Sequence, residues 1–371
     1  MLCLGKSSEA LEKEVSTRNQ DDHAIMIIKK RRPRYGGTHP RSFQEKYKEL
    51  DPNRYRSEIQ KIVEAGKTPA GSHRPVCLNE ILKILAPKPG DLAIDATVGY
   101  GGHALEILNR ITPGGQLIGF DLDRDELCKT ENRIRAAGFL TDSFVSFRAN
   151  YSHIPQMLSS LKNKKAQLLI ADLGLSSMQI DNPARGFSYK VAGPLDMRLD
   201  PKGDRSATQL LRSVSERALG KILEKNGDEI FAVEIAKAIM ERQRKRPIQT
   251  TDALVEAIQS GLNTLPPKMQ KLVDDKSTRR CFQALRIAVN EEFRSLDLFL
   301  KNIPSILAPG GKVAILTFHS GEDRRVKKAF QGGHRAGIYF DIANEIIRPS
   351  PEEIYSNPRA KSAKLRWAKL K

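Results

Sequence analysis

The clearest chemical signature of the sequence is a glycine-rich turn within residues 91–123. An apolar run over 92–94 precedes the turn, and an apolar helical pattern follows it. Glycines let the backbone approach a ligand closely, and a helix start offers free N–H donors. A second apolar run ends at Asp121, whose carboxylate can accept hydrogen bonds from both hydroxyls of a ribose. The stretch therefore predicts a strand–turn–helix–strand unit that binds an adenosine-type cofactor.

Two cofactors fit this pattern. The spacing Gly99-x-Gly101-x-x-Ala104, followed by Asp121, satisfies the dinucleotide fingerprint. However, Asp95 stands between the strand and the glycines, where a pyrophosphate would not tolerate a negative charge. A carboxylate there suits the ammonium group of a methionine moiety. The sequence therefore favours S-adenosylmethionine and keeps a nicotinamide dinucleotide as the alternative.

The composition predicts a polyanionic partner. The 371 residues include 62 Lys and Arg against 44 Asp and Glu, a net charge of +18, and nucleic acid is the partner that such an excess favours. A merely soluble basic surface is the alternative. Four cysteines lie far apart without a CxxC pair, so we expect neither a metal site nor a disulfide framework. No apolar run approaches the ~18 residues of a membrane span, and no membrane partner is expected.

Strand and helix patterns alternate through the first half of the chain and predict a doubly wound α/β sheet. We expect a basic extension over 1–72, partly disordered, with helical character over 43–65 and a basic cluster at 29–35. The sheet domain should occupy 73–180 and 282–371, interrupted by an all-α RNA-recognition domain over 181–281. A single long helix is expected over 282–300, then a strand over 312–318 and a basic tail over 357–371.

Five polar groups fall where the predicted strands end, at the edge where such sheets bind ligands. They are Asp95, Asp121, Tyr151, Asp172 and His319. Each has a structural alternative, because a carboxylate can cap a helix, a tyrosine can pack in a core and a histidine can be buried with a hydrogen bond. Five such groups in register favour a shared site.

The motifs of the chain are similar to those of the bacterial small-subunit ribosomal RNA (cytosine-N4)-methyltransferases. The resemblance covers residues 73 to the end and rests on the segments HRPV from His73, DATVGYGGH from Asp95, DLGLSS from Asp172, ARGFS from Ala184, GPLDMR from Gly193, FHSGEDR from Phe318 and NPRAKS from Asn357. It implies a Rossmann-like class I methyltransferase sheet. Gly321 departs from the pattern, since a bulkier apolar residue is expected there, and Met178 replaces a frequent proline.

The resemblance also assigns roles to single residues. It implies that Gly101, Gly102 and His103 line the methionine end of S-adenosylmethionine and that Asp121 holds the ribose. The other implied cofactor contacts are Tyr151, near the adenine, Asp172 and Gln179. Asp172 and His319 are the candidate catalytic residues, with Asp172 accepting a hydrogen from the target amine.

The target base must leave its stack to reach such a pocket. We expect Phe187 to stack on the base, and Arg185 or Arg198 to hold a phosphate or the pyrimidine carbonyl. A lid that packs only on protein is the alternative. The expected substrate is a cytosine in the decoding region of small-subunit ribosomal RNA. A nicotinamide-dependent oxidoreductase and a catalytically inactive ribosome assembly factor are the rival functions.

The N-terminal extension bears on location. We expect it to have no counterpart in bacterial proteins and to resemble plant organellar relatives, which favours a chloroplast. A mitochondrion or a bacterial cytoplasm is the alternative, because the acids at the start of the chain do not suit a transit peptide.

Overall fold

The computed structural model describes residues 47, 53–64, 75–161 and 164–371, all of which belong to one compact unit, Tyr47–Lys371. The predicted basic cluster at 29–35, most of the extension before residue 73 and His73 itself lie outside the described residues. None of the described helices has both the length and the apolar character needed to cross a bilayer.

A seven-stranded sheet forms the centre of the described chain, in the order β3-β2-β1-β4-β5-β7-β6. The strands are β1 Leu92–Asp95, β2 Gln116–Asp121, β3 Phe144–Arg148, β4 Ala166–Asp172, β5 Leu307–Thr317, β6 Tyr339–Ile342 and β7 Lys364–Leu370. The first five are parallel to one another, whereas β7 runs antiparallel to both β5 and β6. The carboxyl ends of the five parallel strands therefore meet at one edge.

Helices cover both faces of the sheet. Neighbouring residues of β1 lie in different apolar clusters, Ala93 in one and Ile94 in the other, because successive strand residues point to opposite faces. The helices before the insertion are α1 Arg56–Glu64, α2 Leu78–Leu85, α3 Gly102–Ile111, α4 Arg124–Ala136, α5 Ile154–Ser160 and α6 Ser177–Asp181. The helices that complete the sheet domain are α13 Glu292–Ile306, α14 Ser320–Arg335 and α15 Pro351–Ser356. This arrangement confirms the predicted class I methyltransferase fold.

A third apolar cluster lies outside the sheet. It is built from helices α7 Ala207–Ser213, α8 Glu216–Gly227, α9 Ala232–Lys245, α10 Thr251–Asn263 and α12 Ser277–Val289, and α11 Pro267–Gln270 is a short turn between the last two. Leu219, Ile235 and Ile258 are fully buried in this cluster. The segment thus has a core of its own, although the proposed boundaries at 181 and 281 and the role in RNA recognition stay predictions.

The second half of the chain differs from the expectations in two places. The long helix over 282–300 is two helices, α12 and α13, because Glu291 has φ 48° in the left-handed region and breaks the helix after Asn290. The predicted basic tail over 357–371 also contains a strand that was not expected, because β7 is part of the sheet. Lys364 and Arg366 of β7 both pair with Asp323 of α14.

Candidate active site

Three carboxylates stand side by side at the carboxyl edge of the sheet. Asp95, Asp121 and Asp172 are the last residues of β1, β2 and β4, which are adjacent strands. Among the described residues, no Lys or Arg side chain forms an ion pair with any of the three. The site therefore concentrates acidic side chains that have no Lys or Arg partner in the part of the chain that the structure describes.

Burial and mutual repulsion show in the pKa values of these acids. Burial, followed by the charge of Asp121, raises the pKa of Asp95 to about 7. Burial also raises the pKa of Asp121 to about 6, although N–H groups of Asp123 and Gly99 donate to its carboxylate. Burial and the charge of Asp95 raise the pKa of Asp172 to about 7. A cation bound among the three carboxylates would stabilise their ionised forms and lower all three pKa values.

The glycine turn faces this cluster. Gly99 donates its N–H to Oδ2 of Asp121 over 2.9 Å. Gly101 has φ 80°, and a Cβ there would lie 2.7 Å from Cγ2 of Thr130. A Cβ at Gly102 would lie 2.6 Å from Cγ of Pro75. Only glycine fits both positions without displacing a neighbour, so the turn packs closely against Pro75 and Thr130 at the start of α3, beside the acids.

His103 lies between the segment before α2 and Asp172. Its Nε2 lies 3.0 Å from the carbonyl oxygen of Val76, and since a carbonyl only accepts, Nε2 carries the proton. Burial lowers the pKa of His103 to about 4, so the ring is neutral near pH 7. Its Nδ1 lies 3.8 Å from Oδ2 of Asp172. Because the ring is neutral, His103 adds no positive charge that would offset the carboxylates of the site.

A hydrogen bond holds the backbone of Asp172 in place, whereas its side chain is partly exposed to solvent. Its N–H donates to Oγ1 of Thr97 over 2.6 Å, while 31 % of its side chain is exposed. A Cβ at the next glycine, Gly174, would lie 3.9 Å from the ring of Phe318. The carboxylate of Asp172 can therefore face a ligand, with an aromatic ring beside the turn that follows it.

His319 lies two residues after β5 and caps α14. Its Nδ1 accepts the N–H of Glu322 over 3.4 Å, and its Nε2 lies 3.2 Å from Oε1 of the same residue. Burial opposes ionisation of Glu322, but His319 and Arg286 hold the pKa of its carboxyl below the ordinary value. Sequence reasoning missed Glu322 and Arg286, although a glutamate three residues after an N-cap is a recognisable capping pattern.

Tyr151 lies in a 3-10 helix, Tyr151–His153, three residues after β3. Its ring packs against Phe299 with centroids 5.2 Å apart, and burial and the charges of Glu292 and Glu322 raise the pKa of its hydroxyl.

Carboxylate and imidazole atoms of Glu292, His319 and Glu322 lie within 4.8 Å of one another. Arg286 already donates two hydrogen bonds to Glu292, so this group is an ion-pair network, while the expected absence of a metal stays a prediction.

Gln179 and Arg185 converge on Asp123, two residues beyond the predicted ribose ligand. Gln179 caps α6 through its Oε1 and donates from Nε2 to Asp123 over 3.3 Å. Arg185 donates to Asp123 over 2.8 Å and to the carbonyl oxygens of Arg198 and Leu199. The structure thus uses both side chains to bring the segment after β4 onto the edge of the sheet.

The two other predicted RNA contacts are engaged within the protein. Phe187 is only 8 % exposed and packs in the helical core. Arg198 donates two hydrogen bonds to Asp196 and one to the carbonyl oxygen of Gly203. A role of Phe187 in base stacking, or of Arg185 or Arg198 in phosphate binding, would require these contacts to break. These substrate roles stay predictions.

Comparison with known proteins agrees with this geometry. The model of the MraW methylase family matches residues 70–371. The chain is 48 % identical over 341 residues to ribosomal RNA small subunit methyltransferase H 2 of Alkaliphilus metalliredigens, covering 92 % of this chain and 97 % of that protein. It is 46 % identical over 342 residues to ribosomal RNA small subunit methyltransferase H 1 of Lachnoclostridium phytofermentans, covering 92 % and 93 %.

These relatives correct one expectation. A match over 92 % of this chain is longer than the stretch from residue 73 to the end. Part of the N-terminal extension therefore has a counterpart in bacterial proteins, contrary to what the resemblance had suggested. On the family match and these identities, the chain belongs to the MraW methylase family.

Proposed function

We propose that the protein transfers a methyl group from S-adenosylmethionine to the exocyclic N4 amine of a cytosine in small-subunit ribosomal RNA. The family description supports methyl transfer, and the printed names of the relatives support the substrate. The observation that carries the chemistry is the row of carboxylates at the ends of β1, β2 and β4, none of which forms an ion pair with a described Lys or Arg. A pyrophosphate would be repelled there, whereas a sulfonium and an ammonium group would be attracted.

The described residues fit the cofactor. Gly101 and Gly102 allow the tight turn at the start of α3, and Asp121 offers a carboxylate for the ribose hydroxyls. When bound, S-adenosylmethionine supplies a methyl group activated by its positively charged sulfur. Asp95 and Asp172 supply the compensating negative charge, which is effective because burial lowers the local dielectric constant. We assign Tyr151 and Gln179 to the adenosine side of the same site.

Asp172 is the group best placed to act on the amine. The nitrogen of a cytosine amine is a poor nucleophile because its lone pair is delocalised into the ring. A carboxylate that accepts one amine hydrogen favours the pyramidal nitrogen that can attack. The carbonyl oxygens of the turn at Leu173 and Gly174 can accept the second hydrogen. Thr97 holds this turn in place through the N–H of Asp172, so the acceptors are fixed before the substrate arrives.

An isotope experiment tests the proposal. The purified protein is incubated with small-subunit ribosomal RNA and S-adenosylmethionine that carries a deuterated methyl group, and the RNA is digested to nucleosides for mass spectrometry. We expect deuterated N4-methylcytidine as the product, and a rate at least ~10²-fold lower for Asp172→Asn under single-turnover conditions with saturating cofactor. A label at carbon 5 or on the ribose would reject N4 transfer. A near-normal rate for Asp172→Asn would reject the role of Asp172 in activating the amine.

The rival functions make different predictions. A nicotinamide-dependent oxidoreductase would be stabilised against heat by NAD, whereas we expect stabilisation by S-adenosylhomocysteine alone. An inactive assembly factor would leave the ribosomal RNA unmodified in cells. Mapping the modified cytosines in cells that lack the protein identifies the target, which we place in the decoding region. The chloroplast stays our predicted location, and the bacterial relatives support the bacterial alternative.

A further inference from the structure

A small basic cavity lies beside the loop that follows β5. Its volume is about 160 Å³, and it is lined by Lys225, Phe293, Gly321, Arg324, Arg325 and Lys328. These residues come from the end of α8, the start of α13 and the first turns of α14. At ~30 Å³ per water molecule, the space equals roughly five waters, enough for a phosphate group.

The charges around this cavity are only partly balanced. Arg324 pairs with Asp228 at 2.8 Å, and Arg325 pairs with Asp297 at 2.9 Å. Lys225 and Lys328 are exposed, and neither forms an ion pair with another described residue. Two cations with acidic partners and two without them therefore converge on one cavity, which leaves an excess of positive charge.

Gly321 determines whether the cavity is open. A Cβ at this position would lie 2.5 Å from Cζ of Phe293, so the phenyl ring occupies the space of a side chain. The guanidinium carbon of Arg325 lies 4.1 Å from the centre of that ring, and the ring of His319 lies 5.8 Å from it. The bulkier apolar residue that the resemblance leads us to expect at position 321 would displace the phenyl ring. In this chain, glycine lets Phe293 form the floor.

We propose that this cavity binds a backbone phosphate of the RNA substrate, at a nucleotide close to the methylated cytosine. The inference rests on the proposed function, because it takes RNA as the substrate. Phosphate contacts by Lys and Arg fix the register of a nucleic acid on a protein without reading its sequence. Gly321 of the cavity lies in the first turn of α14, two residues from His319 at the carboxyl edge of the sheet, so a phosphate held there would position the neighbouring base.

The test compares the wild-type protein with the double variant Lys225→Gln/Lys328→Gln. A matched control, Lys221→Gln/Lys327→Gln, removes the same charge from α8 and α14 at exposed positions that do not line the cavity. The affinity for a fluorescein-labelled oligocytidylate is measured by anisotropy over a range of salt concentrations. For one lost phosphate contact, the slope of log K against log salt falls by about 0.7, and the affinity falls about fivefold near 0.1 M salt.

Steady-state methylation of ribosomal RNA provides a second readout. We expect the double variant to raise KM for RNA and to leave kcat unchanged, while the control variant changes neither. A salt slope equal to that of the wild type, or an equal loss in the control variant, would overturn the phosphate site. If the wild type makes no N4-methylcytidine, the proposed function fails instead, whatever the double variant does.

A thermal-shift arm separates an RNA phosphate from a free one. Inorganic phosphate is added at constant ionic strength to the wild type and to the double variant. A stabilisation that the double variant loses, together with an unchanged RNA salt slope, would assign the cavity to free phosphate and overturn our proposal. A reduced RNA salt slope in the double variant supports the RNA source.

Discussion

Asp172 combines a fixed backbone, an open side chain and a raised pKa of about 7. A carboxyl with such a pKa is protonated below neutral pH and then cannot accept a hydrogen from an amine. We therefore expect kcat/KM for S-adenosylmethionine, which reports the enzyme before the cofactor binds, to rise with pH through about 7 and to level off above it. The profile is measured with saturating RNA. A profile that is flat across this range would contradict the role of Asp172 as an acceptor.

Bound cofactor should move this transition. A cation beside Asp172 stabilises the ionised carboxylate and lowers its pKa. With saturating cofactor, the transition in kcat should therefore lie below that seen in kcat/KM. The opposite order would mean that the bound cofactor carries no net positive charge next to this acid.

Gly101 tests the role of the glycine turn, and Gly138, which also has a positive φ, provides a matched control. Gly101→Ala combines a left-handed backbone, φ 80°, with a Cβ 2.7 Å from Thr130. Gly138 has φ 92° and nothing within 4 Å of a Cβ, so Gly138→Ala has only the backbone cost of ~1–2 kcal/mol. We expect both variants to lose stability in urea unfolding, whereas only Gly101→Ala should lose more than about tenfold in cofactor affinity. Equal cofactor affinities in calorimetry would show that the turn is not part of the cofactor site.

At the scale of elements, the junction between α12 and α13 connects the helical core to the sheet edge. The side chain of Asn290 accepts the N–H of Leu199 and donates to the carbonyl oxygen of Met197, both over 2.7 Å. Asn290→Ala leaves these two backbone groups without their partner, which should reduce the free energy of unfolding by about 2 kcal/mol. Chemical denaturation measures the loss. The exposed Asn263→Ala is the control, and an equal effect of both variants would show that the junction contributes nothing specific.

The first half of the fold follows from the sequence because its elements are defined locally. Strand β1 extends one residue beyond the predicted apolar run over 92–94, and β2 ends at Asp121 as predicted, since buried apolar runs flanked by Gly and Asp mark both strands. The strand β7 was taken for a basic tail. Lys364 and Arg366 of β7 pair with Asp323 on another element, and a pairing between distant segments is not visible in the local pattern.

The site shows the same contrast between features set by the local sequence and features set by contacts between distant segments. The acids at the strand ends were predicted because strand periodicity fixes where each strand stops. The partners of Arg185, Arg198 and Phe187 were not predicted, because loop conformation after β4 decides them. The break at Glu291 lies next to Asn290, whose side chain contacts a loop some ninety residues away, and such a contact is not visible in the local pattern.

At the scale of the whole molecule, an acidic cluster at the strand ends lies within a chain that is basic as a whole. The chain has a net charge of +18, which attracts a polyanionic RNA and makes binding weaken as salt rises. The cluster of Asp95, Asp121 and Asp172 is instead a local concentration of acids within this basic protein. We infer that the basic surface serves the substrate and the acidic cluster serves the cationic cofactor.

The release of protons on cofactor binding tests this account most directly. Near pH 7, Asp95 and Asp172 with pKa values of about 7 are each partly protonated, and a bound sulfonium should lower both pKa values. Calorimetric titrations in buffers of different ionisation enthalpy should show release of on the order of one proton for S-adenosylmethionine. S-adenosylhomocysteine, whose sulfur is uncharged, should release fewer. A binding enthalpy independent of the buffer, or equal proton release for the two ligands, would contradict the claim that these carboxylates hold the sulfonium.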